Sequence, residues 1–181
     1  MIGNFPALFG FIERADMDGQ AFHITQGDPG GATAYGWTYN LWRAVAPMHG
    51  VADVSLDAFK AQTMADFQPL TKIQFWNTIR ADDMPAGVDV FWADFQFGSG
   101  AATRVLQAAL GVPVDGIVGS QQTLPALAAC PDLPGLLGEF LAARKGYYDR
   151  EGFRDRWPGL YRRADDCHAL ALSLLPSSVA L

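Results

Sequence analysis

Cysteine is scarce. The 181-residue chain holds two, Cys130 and Cys167, and no C-x-x-C pair. A disulfide framework is therefore excluded, and at most one bridge can form. The three histidines, His23, His49 and His168, are scattered, which leaves no zinc-ligand spacing; no metal and no other cofactor is expected. Basic charge is short as well: 13 Lys and Arg stand against 19 Asp and Glu, for a net charge of -6 and a pI ≈ 4.8. A nucleic-acid binder displays a basic face. Here the pairs Arg144-Lys145 and Arg162-Arg163 sit among Asp149, Asp165 and Asp166 and read as solvated helix faces, so no nucleic-acid partner is expected. Long apolar runs are missing too. Residues 169–181 come nearest, but Ser173, Pro176, Ser177 and Ser178 interrupt them, and they are too short to span a bilayer. The N-terminus, Met-Ile-Gly-Asn-Phe-Pro, has no basic segment and meets Glu13 and Arg14 early, unlike a signal peptide. The expectation is a protein made in the cytoplasm without a leader.

What is present is a foldable core. Half the residues are hydrophobic and mean hydropathy is +0.07, which excludes disorder, and a chain of this length buries roughly 70% of its unfolded surface without staples. Gly 19 and Pro 11 add many turns. Phe5, Leu8, Phe9 and Ile12 recur at the spacing of one buried helix face, with Asn4 as a cap and Pro6 in the first turn; this helix should end near Ala15. Residues 16–38 change character. Asp16, Asp18, Gly19, Gly27, Asp28, Pro29, Gly30, Gly31 and Gly36 punctuate short β-like pieces such as 21–25. Asp-Pro-Gly-Gly is a strong turn signal. Helical spacing then returns: Leu41, Trp42 and Val45 after Thr38; Leu56, Phe59, Thr63 and Phe67 after Ser55, broken near Pro69; and Leu70, Ile73 and Trp76. Further stripes are Val88, Phe91, Trp92 and Phe95; Val105, Leu106, Ala109 and Leu110; Leu124 and Leu127; a long helix from Leu133 to Tyr148; and a last one from Leu160 to Leu174. Pro125 sits awkwardly because it removes a backbone donor. The expected fold class is mostly α, one compact domain over 1–181, with a small β or loop lobe near the N-terminus.

Glu13 is the most interesting carboxylate. It comes one helical turn after Phe9, so the two share a side of the helix, next to the apolar stripe and just before the irregular lobe. An acid at an apolar edge holds its proton more tightly, because desolvation disfavours the charged form, and a general acid needs that. Position alone fits a surface glutamate at a helix boundary better than a catalytic one. Asp28 heads the Asp-Pro-Gly-Gly turn, with Thr33 and Tyr35 after it. A turn aspartate usually bonds its own backbone, but this turn can also aim a carboxylate and a hydroxyl back at Glu13. Two carboxyl groups across a cleft is the plan of glycoside hydrolysis. Phe22, Tyr35, Trp37, Trp42 and Trp76 are core candidates, a few of them able to stack on sugars, and Asp94 can bond a nearby loop. No Ser/His/Asp or Cys/His set stands out.

Two patches resemble a known family. Phe11-Ile12-Glu13 and then Gly27-Asp28-Pro29-Gly30-Gly31-Ala32-Thr33-Ala34-Tyr35-Gly36-Trp37-Thr38 resembles the signature of glycoside hydrolase family 108, a helix ending in Glu and then D-P-G-G-x-T-x-x-G-I-T. Leu106-Gln107-Ala108-Ala109-Leu110-Gly111-Val112, then Val114-Asp115-Gly116-Ile117-Val118-Gly119 and Thr123-Leu124, is similar to the peptidoglycan-binding region that comes next in this family. The likeness spreads over most of residues 8–165. It departs at Arg14-Ala15-Asp16, where the family has Gly-Gly-Tyr after the Glu; in the longer stretch from Glu13 to Asp28; and at Gly98, where the family has Asn.

The resemblance implies a lysozyme-like helical domain, with 1–80 the catalytic part and 81–175 a helical, peptidoglycan-binding-like part packed against it. It implies an N-acetylmuramidase that cuts the β-1,4 bond between N-acetylmuramic acid and N-acetylglucosamine, as in phage endolysins and secretion-activator muramidases. Carried over, Glu13 is the catalytic acid, and Asp28 and Thr33 match the family turn. Asp16 or Asp18 can replace Asp28 as the second carboxylate. Tyr35, Trp37, Asp94 and Phe22 are the expected substrate contacts. The partner is the peptidoglycan glycan strand, met in the periplasm or cell wall, with a holin or secretion machine supplying the exit. Two other readings stay open: a non-catalytic wall-binding component of a phage particle or secretion system, and a lytic transglycosylase.

Overall fold

Phe5, Leu8, Phe9 and Ile12 are all buried along one side of the first helix, α1 (Phe5–Asp16), as the spacing predicts, and Phe11 is buried beside them. The computed structural model describes residues 3–16, 22–24 and 30–176, with the Asp16 side chain excluded. Asn4 precedes α1: its carbonyl accepts from Leu8 N at 3.0 Å, and its side-chain amide donates to Asp89 Oδ2 at 3.0 Å. The backbone divides into two compact units, Phe9–Gln74 on one hand and Met1–Leu8 with Phe75–Leu181 on the other.

In the unit Phe9–Gln74, three short strands, β1 (Phe22–Ile24), β2 (Ala32–Ala34) and β3 (Trp37–Thr38), form an antiparallel sheet in the order β1-β2-β3. The expected β lobe is therefore present. Thr38 ends β3 and caps α2 (Tyr39–Val45), its Oγ1 accepting from Leu41 N at 3.3 Å. A 3-10 turn over Ala46–His49 comes next and is closed by Gly50. The single stripe expected from Leu56 to Phe67 is two helices, α3 (Leu56–Ala61) and α4 (Met64–Thr71). The break is local chemistry. Gln62 and Thr63 are extended, and Thr63 N and Oγ1 both donate to Asp66 Oδ2, at 2.8 and 2.6 Å, a helix start that competes with continuing the previous turn. Pro69 lies inside α4 instead of ending it, and a π-helical segment, Lys72–Asn77, continues directly from it. The core of this unit is aromatic. Trp37 stacks on Phe67 with centroids 5.8 Å apart, Trp42 meets Phe59 at 5.2 Å, and Phe59 meets Phe67 edge-on at 5.9 Å.

The other unit is built on α5 (Val88–Gly98). Every residue from Val88 to Phe95 is buried, the mark of a helix enclosed on all sides. It is packed by α6 (Ala102–Leu110), α8 (Leu133–Arg150) and α10 (Gly159–Ser173). Gly87 opens α5 at φ 84, and a Cβ there would overlap the carbonyl of Ala171 on α10, so this approach requires glycine. α7 (Thr123–Ala128) carries Pro125 as its third residue, inside the first turn, where a helix has no intrahelical use for an N–H. A one-turn helix, α9 (Phe153–Arg156), separates α8 from α10.

The Leu106-Gln107…Asp115-Gly116 run has a structural explanation. Gln107 is fully buried on α6. Its Nε2 donates to Asp115 Oδ1 at 2.7 Å, Ile117 O at 3.0 Å and Thr123 Oγ1 at 3.1 Å, and its Oε1 accepts from Gly116 N at 2.8 Å. One amide thus pins the loop between α6 and α7. Cys130 and Cys167 are both free thiols, Cys167 fully buried.

Candidate active site

Glu13 sits on the last turns of α1 and is exposed. The expected burial against the apolar stripe is corrected: the stripe runs through Phe5, Leu8, Phe9, Phe11 and Ile12, and position 13 falls off its edge. The sheet is the next element after α1, and residues 17–21 between the two lie outside the described residues. Asp18 and Asp28 also lie outside the described residues, and so does the side chain of Asp16, so the choice of second carboxylate among these three rests on sequence.

The sheet itself is well defined. β1 and β2 pair Phe22 with Ala34, His23 with Thr33 and Ile24 with Ala32; β2 and β3 pair Thr33 with Thr38 and Ala34 with Trp37. Because opposed residues of an antiparallel ladder project to one face, two rows result. Phe22, Ala34 and Trp37 form a row toward the aromatic core, and His23, Thr33 and Thr38 form a polar row on the opposite face. In the sequence alone, His23 is one of three scattered histidines. Its signal is the alternation of Phe22, His23 and Ile24, which has meaning once the pairing partner is known.

β2 and β3 are joined by a two-residue turn, Tyr35-Gly36, with φ 49 and 79. Such a hairpin turn needs positive φ at both central positions. Glycine takes this without strain; tyrosine does so at a cost of about 1–2 kcal/mol. The Tyr35 ring is half-buried and rests 5.8 Å from Phe67. Phe22 is half-buried as well, edge-on to Phe59 at 6.3 Å, with Lys60 Nζ 5.3 Å from its ring centroid.

Two of the expected substrate contacts are corrected. Trp37 is 1% exposed and its indole N–H donates to Thr71 Oγ1 at 3.0 Å; it is a core residue with no face left for a sugar. Asp94 belongs to the unit built on α5 and is 0% exposed. Arg163 donates to its Oδ1 from Nε at 3.0 Å and Nη2 at 2.7 Å, and Arg144 Nη1 lies 2.8 Å from its Oδ2. Burial pushes the Asp94 carboxyl up, but Arg163 and Arg144 outweigh it and hold it below the ordinary carboxylate range. Both of its oxygens face arginines inside the core, where a buried ion pair must be matched to persist.

Among the described residues no three His, Cys, Asp or Glu side chains gather to hold a metal ion, and no helix is long and apolar enough to cross a membrane.

Residues 17–100 match the family model described as Glycosyl hydrolase 108. The matched span contains β1 to β3, Asp28, Thr33 and Tyr35, and begins just after α1. It ends before α6, so the run from Leu106 to Leu124 lies outside it, and a separate peptidoglycan-binding region is not supported. The chain is also similar to the solved structure of Brucella abortus SagA, with 28% identity and a TM-score of 0.77, covering 98% of this chain and 96% of that one. The helical fold with a small sheet near the N-terminus is shared with it. No curated protein matches. The family match supports a glycoside hydrolase.

Proposed function

We propose, on the premise that residues 17–100 fold as a glycosyl hydrolase 108 segment, that this chain hydrolyses the glycan strands of peptidoglycan as an N-acetylmuramidase. The observation that supports the reading is the family match, whose span contains Asp28, Thr33 and Tyr35 and begins after α1, the helix on which Glu13 is exposed. In this mechanism Glu13 donates the proton to the leaving glycosidic oxygen. A second carboxylate, Asp28 with Asp16 or Asp18 as the alternatives, directs water or steadies the cation-like transition state, and Thr33 orders that water by hydrogen bonding. Such a division of labour between two carboxyl groups is the general plan of glycoside hydrolysis. The site of action is the wall outside the cytoplasmic membrane.

The test is release of reducing ends from purified sacculi. Glu13→Gln keeps shape and removes the acid, so it should lower the rate by at least about 100-fold with an unchanged far-UV spectrum. Full activity in that variant overturns the assignment of Glu13, and absence of any release by the wild-type protein overturns the hydrolase reading. Products ending in anhydro-muramic acid in place of reducing ends would make the enzyme a lytic transglycosylase.

A further inference from the structure

We infer that His23 is a substrate-binding residue of the same site, presenting its imidazole beside Thr33 on the polar face of the three-stranded sheet. The inference rests on the proposed glycan-cleaving function and adds a group to it. The ladder opposes His23 to Thr33, and Thr33 to Thr38. Directly opposed residues in an antiparallel pair hold their Cβ atoms roughly 5 Å apart on one face, so the three side chains form a continuous row. The opposite row, Phe22, Ala34 and Trp37, faces the aromatic core, with Ala34 and Trp37 buried. A one-residue slip would exchange the two rows, and the burial of Trp37 forbids it.

The three members of the polar row are not equivalent. Thr38 Oγ1 is committed to the start of α2, where it accepts from Leu41 N. Thr33 and His23 are both half-buried, and among the described residues neither side chain takes a hydrogen bond or an ion pair. An imidazole kept for stability is usually buried in the core or bonded to a neighbour; among the described residues this one is neither. β1 is the edge of the sheet, so no further described strand covers its flank. A neutral imidazole offers one donor and one acceptor nitrogen, and a threonine hydroxyl offers the same pair. Two adjacent groups of this kind match a surface of sugar hydroxyls and acetamido groups, which also donate and accept at neighbouring positions. His23 is thus suited to hold an amino-sugar strand against Thr33.

The experiment uses the full chain and purified sacculi, with initial rates measured over a range of substrate. His23→Ala should raise the half-saturating substrate about tenfold, the size of one lost hydrogen bond to ligand, while kcat stays within about threefold and the melting temperature is unchanged. His23→Gln, which restores a donor and an acceptor, should recover most of the loss. Rates and half-saturation of His23→Ala both within twofold of wild type would overturn the inference. So would a loss shared equally by His23→Gln and accompanied by a lower melting temperature, since that marks a folding role. If the wild-type protein releases no products, the hydrolase reading fails and His23 is judged by co-sedimentation with sacculi. Tenfold weaker binding of His23→Ala then supports it, and unchanged binding overturns it.

Discussion

Arg163 on α10 donates twice to one oxygen of Asp94 on α5, from Nε at 3.0 Å and Nη2 at 2.7 Å, while the other carboxylate oxygen faces Arg144 on α8. Three helices are thus tied at one buried charge. Arg144 is itself packed among the rings of Phe91, Phe95 and Tyr148, and its Nε donates to the Tyr148 hydroxyl at 2.6 Å. Asp94→Ala leaves the buried Arg144 and the largely buried Arg163 without their anion and should lower stability by about 3–5 kcal/mol, read as a shift in the urea midpoint. Replacing all three charges by apolar residues of similar volume should be less harmful than the single change. Equal or greater loss in the triple variant would mean that the ion pairs contribute net stability. The Asp94 carboxyl lies below its ordinary range in the folded protein, so its contribution is present at neutral pH and is lost only as pH falls below about 4.

Asp89 behaves in the opposite way. It is buried at the start of α5, accepts from Val90 N at 2.8 Å and from Asn4 Nδ2 at 3.0 Å, and its pKa is pushed up to about 6 because burial outweighs those hydrogen bonds. Between pH 4 and 6 the folded chain therefore holds more protons than the unfolded one, and stability falls as pH rises through that window, by up to roughly 3 kcal/mol. Asp89→Asn removes this dependence. Thermal melts of both proteins from pH 4 to 8 should show the variant gaining on wild type as pH rises, and a constant difference across the range would refute the account.

Gly87 tests the contact between α5 and α10. Its φ of 84 and the Ala171 carbonyl beside it make Gly87→Ala doubly unfavourable, by roughly 2–4 kcal/mol when backbone strain and overpacking are combined. Gly50 has a similar φ of 86 with nothing within 4 Å of an added Cβ. Gly50→Ala should therefore lose only the backbone part, about 1–2 kcal/mol. Denaturant midpoints for the two variants separate collision from conformation.

Tyr35 tests the turn just after Thr33. Asparagine is far better suited than tyrosine to φ 49 ahead of glycine, so Tyr35→Asn should relieve strain and offset the lost contact with Phe67. Stability is expected within about 1 kcal/mol of wild type. If the strained tyrosine serves the glycan site, activity on sacculi should fall at least about tenfold, about 1.4 kcal/mol of transition-state binding. Unchanged activity would assign the residue to the hairpin alone.

Several helices could be read from one-dimensional spacing because burial repeats every turn: α1, α2, α8 and α10 follow their apolar stripes, whereas α5 is buried on all sides and α6 buries Ala102, Thr103, Leu106 and Gln107, of which only Leu106 belongs to the expected stripe. The misreadings are where short-range side-chain chemistry overrides period. Thr63 and Asp66 start a new helix inside an uninterrupted stripe, and Pro69 lies inside α4 without ending it. Site residues divide in the same manner. Thr33 lies on β2 just after the turn motif, but Trp37 and Asp94 look the same in sequence whether they face a ligand or a core partner.

By itself, then, the chain order determined the helical class and the small sheet after α1, since each arises from residues close together along the backbone. Only tertiary structure decided that Asp94 is neutralised by Arg144 and Arg163, that Trp37 is spent on Thr71 and Phe67, and that His23 stands beside Thr33. Those outcomes depend on partners brought together by packing, and nothing in local spacing encodes which partner arrives.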